Sequence, residues 1–209
     1  SVSKSLMLPE GTEMTNKENM ELPWTVTIGV PGGTPSSNIK VSDTMSDQYN
    51  QGLHYMSYEQ VKALYDSLSS VLAKDTAGTP IMKVRELYQH NSIDVKTIMD
   101  NPSLYQNTKF TWTELEFDAQ ELQGSQLLQN GSIQFTYNTT AGTNGKNDAF
   151  TATNQVTVGN QSDNDSFQYT PPAPEVGQRV NKFCGHCGKA ATECSRGRLR
   201  YIRMSSTTS

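Results

Sequence analysis

A lysine in the opening run "SVSKSLML" and an asparagine in "TNQVTVGN" (residues 153–160) pose a chemical question. Lys4 and Asn154 are either ordinary polar residues at the edges of a β-domain or two halves of a covalent bond that the chain makes with itself. The other residues with chemistry in them lie at the far end, where Cys184, His186 and Cys187 form a C-x-x-C with an enclosed histidine and Cys194 follows. Thiolates and imidazole are natural zinc ligands, but a fourth ligand at a recognised spacing is missing and the flanking sequence has no core to fold around an ion. His54 and His90 have no partner at metal-ligand spacing, so packing is the expectation for both and no metal is expected. The basic run "RGRLRYIR" is too short and too terminal to carry an RNA-binding reading. No Ser-His-Asp set, paired carboxylates or phosphate loop stands out, which leaves a secreted hydrolase the weakest of the functional classes.

The 209 residues carry a net charge of −4, with a mean hydropathy of −0.62. No basic stripe runs through the body of the chain, which argues against a nucleic-acid partner. No apolar run approaches the roughly 18–20 residues that span a bilayer, so direct membrane insertion is not expected. Without an initial methionine or a signal peptide, the sequence reads as an internal fragment. All three cysteines fall at or beyond residue 184, so the main body has no disulfide to staple it. Thr, Asn, Ser, Gln and Gly with few charges suit strands and polar turns. Sequons such as those at Asn130, Asn138 and Asn160 read as chance products of that composition.

The elements that would position Lys4 and Asn154 follow from periodicity. "WTVTIGV" alternates Trp24, Val26, Ile28 and Val30 with small residues, and "NIKVSDTM" resumes the period through Ile39, Val41 and Asp43. "SYEQVKALYDSLSSVLAKD" places Val61, Leu64, Tyr65, Leu68, Val71 and Leu72 on one helical stripe, with Ser57 and Gln60 at capping-box spacing. A second helix is expected over "SIDVKTIMD", capped by Ser92 and stopped by Pro102. Strands return in "KFTWTELEFDA", "SIQFTYNTT", "AFTATNQVTVGN" and "SFQYT", with "AGTNGKND" as a hairpin loop. The whole reads as all-β, an antiparallel sandwich over residues 1–170 with a helical insertion at about 57–100. A Pro-rich linker and the start of another repeat would occupy 171–182, followed by a disordered tail at 183–209.

"WTVTIGV", "IKVSDTMSDQYNQGLHY", "SIQFTYNTTA" and "NQVTV", in that order, resemble the isopeptide-forming D2-type (Cna-like, immunoglobulin-fold) domains of Gram-positive fimbrial and LPXTG surface proteins. The resemblance covers about residues 1–170, and the Asp-Thr-Met-Ser at 43–46 is intact. It implies a spontaneous Lys–Asn amide cross-link inside an immunoglobulin-like sandwich, assisted by a buried acid and requiring no cofactor. Carried over by position, the nucleophile is Lys4, the acid Asp43 and the acceptor Asn154. Lys17 is a rival nucleophile, and Glu114 and Glu116 are rival acids. The chemistry is coherent: burial frees a lysine amine and keeps a carboxyl protonated, and the acid can donate to the Asn carbonyl before ammonia leaves.

The function implied is a structural module of a bacterial pilin or adhesin at the cell surface or wall, with no turnover beyond its own bond. Its partners would be neighbouring domains of the same surface protein or pilus subunits, with host matrix or glycan as a further class. The alternative is an adhesin domain whose helical insertion and loops contact host protein or glycan. "PPAPEV" and "RVNK" resemble the lead into a Cna-B (SpaA-like) repeat, and the Cys-bearing tail then reads as a truncated or frameshifted continuation.

Overall fold

The computed structural model describes residues 1–13, 19–46, 53–72, 80–143 and 145–173, with the backbone of Gln178–Cys184 and Leu199–Ser205. The chain divides into two units, Ser1–Thr170 and Pro171–Ser209.

The first unit opens with strands β1 (Val2–Leu6), β2 (Met20–Gly29), β3 (Ile39–Ser46) and β4 (Leu53–Ser57), then helix α1 (Tyr58–Leu72). β5 (Ile81–Glu86), β6 (Ile93–Asp94), α2 (Val95–Asp100) and α3 (Pro102–Tyr105) lead to β7 (Lys109–Phe117) and α4 (Ala119–Leu122). β8 (Leu128–Gln129), β9 (Ser132–Gly142), β10 (Phe150–Val158) and β11 (Gln161–Tyr169) complete it. Pairing runs β1-β2-β9-β4-β7-β3-β10-β11, with antiparallel registers. β4 joins the two halves: Leu53–Tyr55 pair with β9, and Met56 and Ser57 pair with β7. The result is an antiparallel sandwich of the immunoglobulin-like kind, with one apolar core between its sheets.

Alternation builds that core. Trp24, Val26, Ile28 and Val30 are buried from β2, and Val41 from β3. Phe110, Trp112, Leu115 and Phe117 are buried from β7. The Asn130–Gly131 turn, with φ of 52° and 73°, reverses the chain in two residues and sets the start of β9.

The capping box forms as expected: Ser57 N–H donates to Gln60 Oε1 at 3.0 Å, and Gln60 N–H donates to Ser57 Oγ at 3.2 Å. Of the expected stripe, Val61, Leu64, Tyr65, Leu68 and Leu72 are buried and Val71 is half-buried. The insertion is nonetheless mixed rather than helical. "IMKVRE" forms β5 against β7, with Met82 and Val84 buried in alternation with Ile81, Lys83 and Arg85. The cap of α2 is Asp94, whose carboxylate accepts from Lys96 N–H at 3.0 Å, since Ser92 instead pairs with Thr113 Oγ1.

The edges of the sandwich meet through side chains. β1 pairs with β2 on one side, while on the other the N–H groups of Lys4 and Leu6 donate to Asp163 Oδ2 and Asp165 Oδ2 of β11, each at 2.8 Å. β11 therefore stands next to β1, and β10 lies one strand further on.

In the second unit, β12 (Gln178–Cys184) pairs antiparallel with β13 (Leu199–Ser205). β12 begins in the expected start of the next repeat, and within the expected tail of residues 183–209 Leu199–Ser205 is paired strand. "LRYIRMS" carries the branched and aromatic residues that favour extended backbone, and it finds a partner in "QRVNKFC". Residues 185–198 and 206–209 of the expected tail lie outside the described residues.

Candidate functional site

Four polar side chains meet inside the sandwich, each buried by the alternation of its own strand. Asp43 follows Val41 on the inward face of β3, and Asn154 stands between Ala152 and Val156 on that of β10. Tyr137 follows Phe135 on β9, and Lys4 is the buried residue of β1. Lys4 is 3 % exposed, Asp43 7 % and Asn154 0 %. Register sets them against one another: Lys4 lies opposite Val26 on β2, whose neighbour Trp24 lies opposite Tyr137. Across the core, Asp43 lies opposite Val156, and Asn154 opposite Met45. One sheet thus supplies the amine and the phenol, the other the carboxyl and the carboxamide.

The Lys4 ammonium reaches all three partners. Nζ donates to Asn154 Oδ1 at 2.5 Å and also to Asp43 Oδ2 and Tyr137 Oη. The Tyr137 hydroxyl donates to Asp43 Oδ2 at 2.9 Å and accepts from Asn154 Nδ2 at 2.6 Å. Around these groups the walls are aromatic: Nζ lies 5.8 Å from the ring centroids of Trp24 and Trp112, and 5.0 Å from that of Tyr137. Asp43 Oδ1 is buried without a hydrogen-bond partner, which penalises the ionised carboxylate.

Desolvation outweighs the Coulomb attraction within the Lys4–Asp43 pair. Burial lowers Lys4 from 10.5 to about 8 against the opposing pull of Asp43, and raises Asp43 from 3.8 to about 6 against that of Lys4. Both shifts draw the two groups together, so passing the proton from ammonium to carboxylate costs far less here than the about 9 kcal/mol it costs in water. A neutral amine beside a carboxylic acid is thereby brought within thermal reach. Burial, and then the negative charge of Asp43, push the Tyr137 phenol well above its ordinary value, so it stays protonated. Such a set is equipped for amine attack on a carboxamide carbon.

The structure brings Lys4, Asp43 and Asn154 together and leaves the rival acids out. β7 skips Thr113 against β5, where Glu114 pairs with Lys83 and Trp112 with Val84. That bulge puts Leu115 and Phe117 into the core, with Glu114 and Glu116 half-buried on the opposite face. Glu116 there accepts from Asn38 Nδ2 at 3.1 Å. Lys17 lies outside the described residues, as do the side chains of Cys184, His186, Cys187 and Cys194. Asp43 also departs from its expected contact: its bonds go to Lys4 and Tyr137, and none goes directly to the Asn154 carboxamide.

Tyr137 is the member that sequence reasoning missed. Its signal was its place on the stripe Ile133, Phe135, Tyr137, Thr139, because a tyrosine on an inward face needs a partner for its hydroxyl. His54 is a core residue beside this site. Trp24 Nε1 donates to Thr139 Oγ1 at 2.8 Å, and Thr139 Oγ1 lies 2.7 Å from His54 Nε2, with His54 Nδ1 3.2 Å from Ser46 O. That chain is satisfied by Nδ1–H donating to the carbonyl and the threonine hydroxyl donating to Nε2. Burial lowers His54 to about 4 and keeps it neutral, and its chain holds the Trp24 wall over Lys4. His90 is exposed.

No family model matches the chain, and no curated protein sequence matches it. Solved structures do. The C-terminal domain of the AgI/II polypeptide BspA from Streptococcus agalactiae aligns over 91 % of this chain at 13 % identity and a TM-score of 0.40. This chain covers 55 % of that structure, a little over half its length. The collagen-binding domain of a Staphylococcus aureus adhesin aligns over 80 % of this chain and 97 % of its own at 15 % identity and a TM-score of 0.32. ACE19, the collagen-binding subdomain of the Enterococcus faecalis surface protein ACE, aligns over 81 % and 91 % at 8 % identity and a TM-score of 0.30.

Proposed function

We propose that the first unit is a structural module of a bacterial cell-surface pilin or adhesin, whose folding drives one Lys4–Asn154 isopeptide bond. The observation that carries the reading is the amine of Lys4, buried among aromatic rings, 2.5 Å from the Asn154 carboxamide with Asp43 bonded to it. The Nζ lone pair attacks Cγ of Asn154, the Cγ–Nδ2 bond breaks, and the nitrogen leaves as ammonia once it has gained a proton. The proton lost by Nζ balances the one gained. Neither a cofactor nor a second substrate enters, so the reaction happens once per molecule.

The bond would join the first strand to a strand 150 residues on. By chain entropy a loop of that length is worth about 5 kcal/mol against unfolding. Force applied between the ends of the unit would load a covalent bond instead of peeling β1 away. Such a property suits a surface stalk, and the surface-protein assignment draws further support from the ordered motifs at 43–46 and 154–160. Among the described residues no helix is long and apolar enough to cross a membrane. The partners on this reading are neighbouring domains of the same protein or pilus.

A second reading, contact with host matrix or glycan, has one observation behind it. A groove of about 310 Å³ runs between α1 and β9, lined by Glu21, Glu59, Gln60, Ser67, Thr136 and Asn138. Ala63 and Leu64 complete a lining that mixes polar and apolar groups, and glycan and matrix-protein arrays test it.

Intact mass tests the leading reading. The folded protein is expected to weigh about 17 Da less than its sequence, one ammonia. Lys4→Ala and Asn154→Ala are expected to restore the full mass, and Asp43→Ala to slow the loss about 10²-fold or more. A full-mass parent protein, or a loss that persists in Lys4→Ala, overturns the assignment.

A further inference from the structure

On the cross-link reading, the nitrogen of Asn154 must leave as ammonia, yet the acid is not bonded to it. Asp43 Oδ2 contacts Lys4 Nζ and Tyr137 Oη, while Asn154 Nδ2 donates to that same Tyr137 Oη at 2.6 Å. One hydroxyl thus bonds the acid, the nucleophile and the leaving nitrogen. A residue that only shaped the cavity would need its ring alone. The ring packs stacked on Phe135 at 6.3 Å and edge-on to Trp112 at 5.8 Å, contacts a phenylalanine would keep.

We infer that the Tyr137 hydroxyl is a catalytic proton relay, carrying the proton of Asp43 to the departing Nδ2. The step balances within the four side chains. Attack by Nζ on Cγ makes a tetrahedral carbon and turns Nδ2 from a planar amide nitrogen, which can only donate, into a pyramidal amine with a free lone pair. The Tyr137 O–H then turns from Asp43 to Nδ2 and gives its proton, and Tyr137 Oη takes the proton of the Asp43 carboxylic acid. Cγ–Nδ2 breaks and ammonia departs. The surplus proton on Nζ passes to Asp43 Oδ2, so acid and phenol both finish as they began. Asp43 thereby serves as acid through Tyr137 and as base to Lys4, using the two contacts of one oxygen. Tyr137 is buried beside the Trp112 and Trp24 walls, so no bulk water competes for the transfer.

The test follows intact mass during cell-free synthesis, with samples quenched in acidic denaturant. Tyr137→Phe is expected to keep its fold, by circular dichroism and a cooperative melt, and to lose ammonia about 10²-fold more slowly than the parent chain. Fluorotyrosines placed at 137 keep the ring's shape while making the phenol more acidic, and the rate is expected to rise along that series. A Tyr137→Phe rate within about twofold of the parent overturns the relay and leaves the cross-link standing. A fluorotyrosine series whose rate does not rise also overturns it, and decides the matter if Tyr137→Phe fails to fold. A parent chain that never loses ammonia overturns the cross-link, and the relay with it.

Discussion

Asp165 is the direct cross-strand neighbour of Asn154, and its carboxylate accepts the backbone N–H of Leu6 at 2.8 Å. Two residues earlier, Asp163 does the same for the N–H of Lys4. β1 has a full ladder to β2, but its other edge is held to β11 by these two carboxylates. Their spacing matches the spacing of the N–H groups they take, so a slip of β1 by one residue would break both bonds and turn Lys4 out of the core. The clamp and the acceptor carboxamide are also in register with each other.

Replacing both aspartates by alanine is therefore expected to slow ammonia loss about tenfold, because a reacting amine held less closely spends less time at attack distance. The folded protein still reaches the linked state. Time-resolved intact mass reads the rate, and hydrogen exchange at the Lys4 and Leu6 amides reads the loosened strand. An unchanged rate with faster exchange removes the clamp from the chemistry.

The reactive form needs a neutral Lys4 and a protonated Asp43 at once. With the amine near 8 and the acid near 6, the fraction of that form is nearly level between those values and falls about tenfold per pH unit on either side. Below 6 the amine is held as ammonium, and above 8 the acid is lost. Ammonia loss measured across pH 4 to 10 is expected to give a bell centred near 7, with limbs near 6 and 8. A rate that rises steadily past pH 9 would mean that the acid takes no part.

Lys4, Asp43 and Asn154 were named as a site by the resemblance of the ordered motifs, and period-2 alternation, which is blind to polarity, agrees for two of them. The stripe that buries Val41 continues to Asp43, and the one that buries Ala152 and Val156 includes Asn154. Tyr137 was equally placed on its own stripe, but its meeting with Lys4 depends on two successive registers, β1 on β2 and β2 on β9. Nothing local specifies those. The rival acids fail for a similar reason: strict alternation from Phe110 and Trp112 would turn Glu114 and Glu116 inward, and one skipped residue at Thr113 reverses that. β5 carried a readable alternation in Met82 and Val84, hidden between two helical stretches.

Removing the bond without leaving a buried charge separates the covalent contribution from the cost of the ion pair. Lys4→Met combined with Asp43→Leu fills the same space with apolar chains and leaves neither partner of the pair in the core. The double variant is expected to unfold about 5 kcal/mol more easily than the linked protein, or about 10–20 °C lower for a unit of this size. Denaturant and thermal melts measure both figures. Equal stability of the two proteins would mean that the parent is unlinked.

The unlinked protein has its own pH signature, visible in Asn154→Ala, which keeps Lys4 and Asp43 paired. Asp43 binds its proton more tightly folded than unfolded, so between about 4 and 6 the folded state holds the extra proton and stability falls as pH rises. Lys4 binds its proton less tightly when folded, so between about 8 and 10.5 the unfolded state holds the extra proton and stability rises with pH. Between 6 and 8 both groups are charged in the core, and stability sits in a trough. Each wall of the trough is about 3 kcal/mol high, measured against Lys4→Met/Asp43→Leu, which lacks both groups. Denaturant melts of the two variants from pH 4 to pH 10 give the difference directly. A flat difference would mean that the ion pair is as stable inside the sandwich as in water, and the neutral amine that the bond requires would then lose its source.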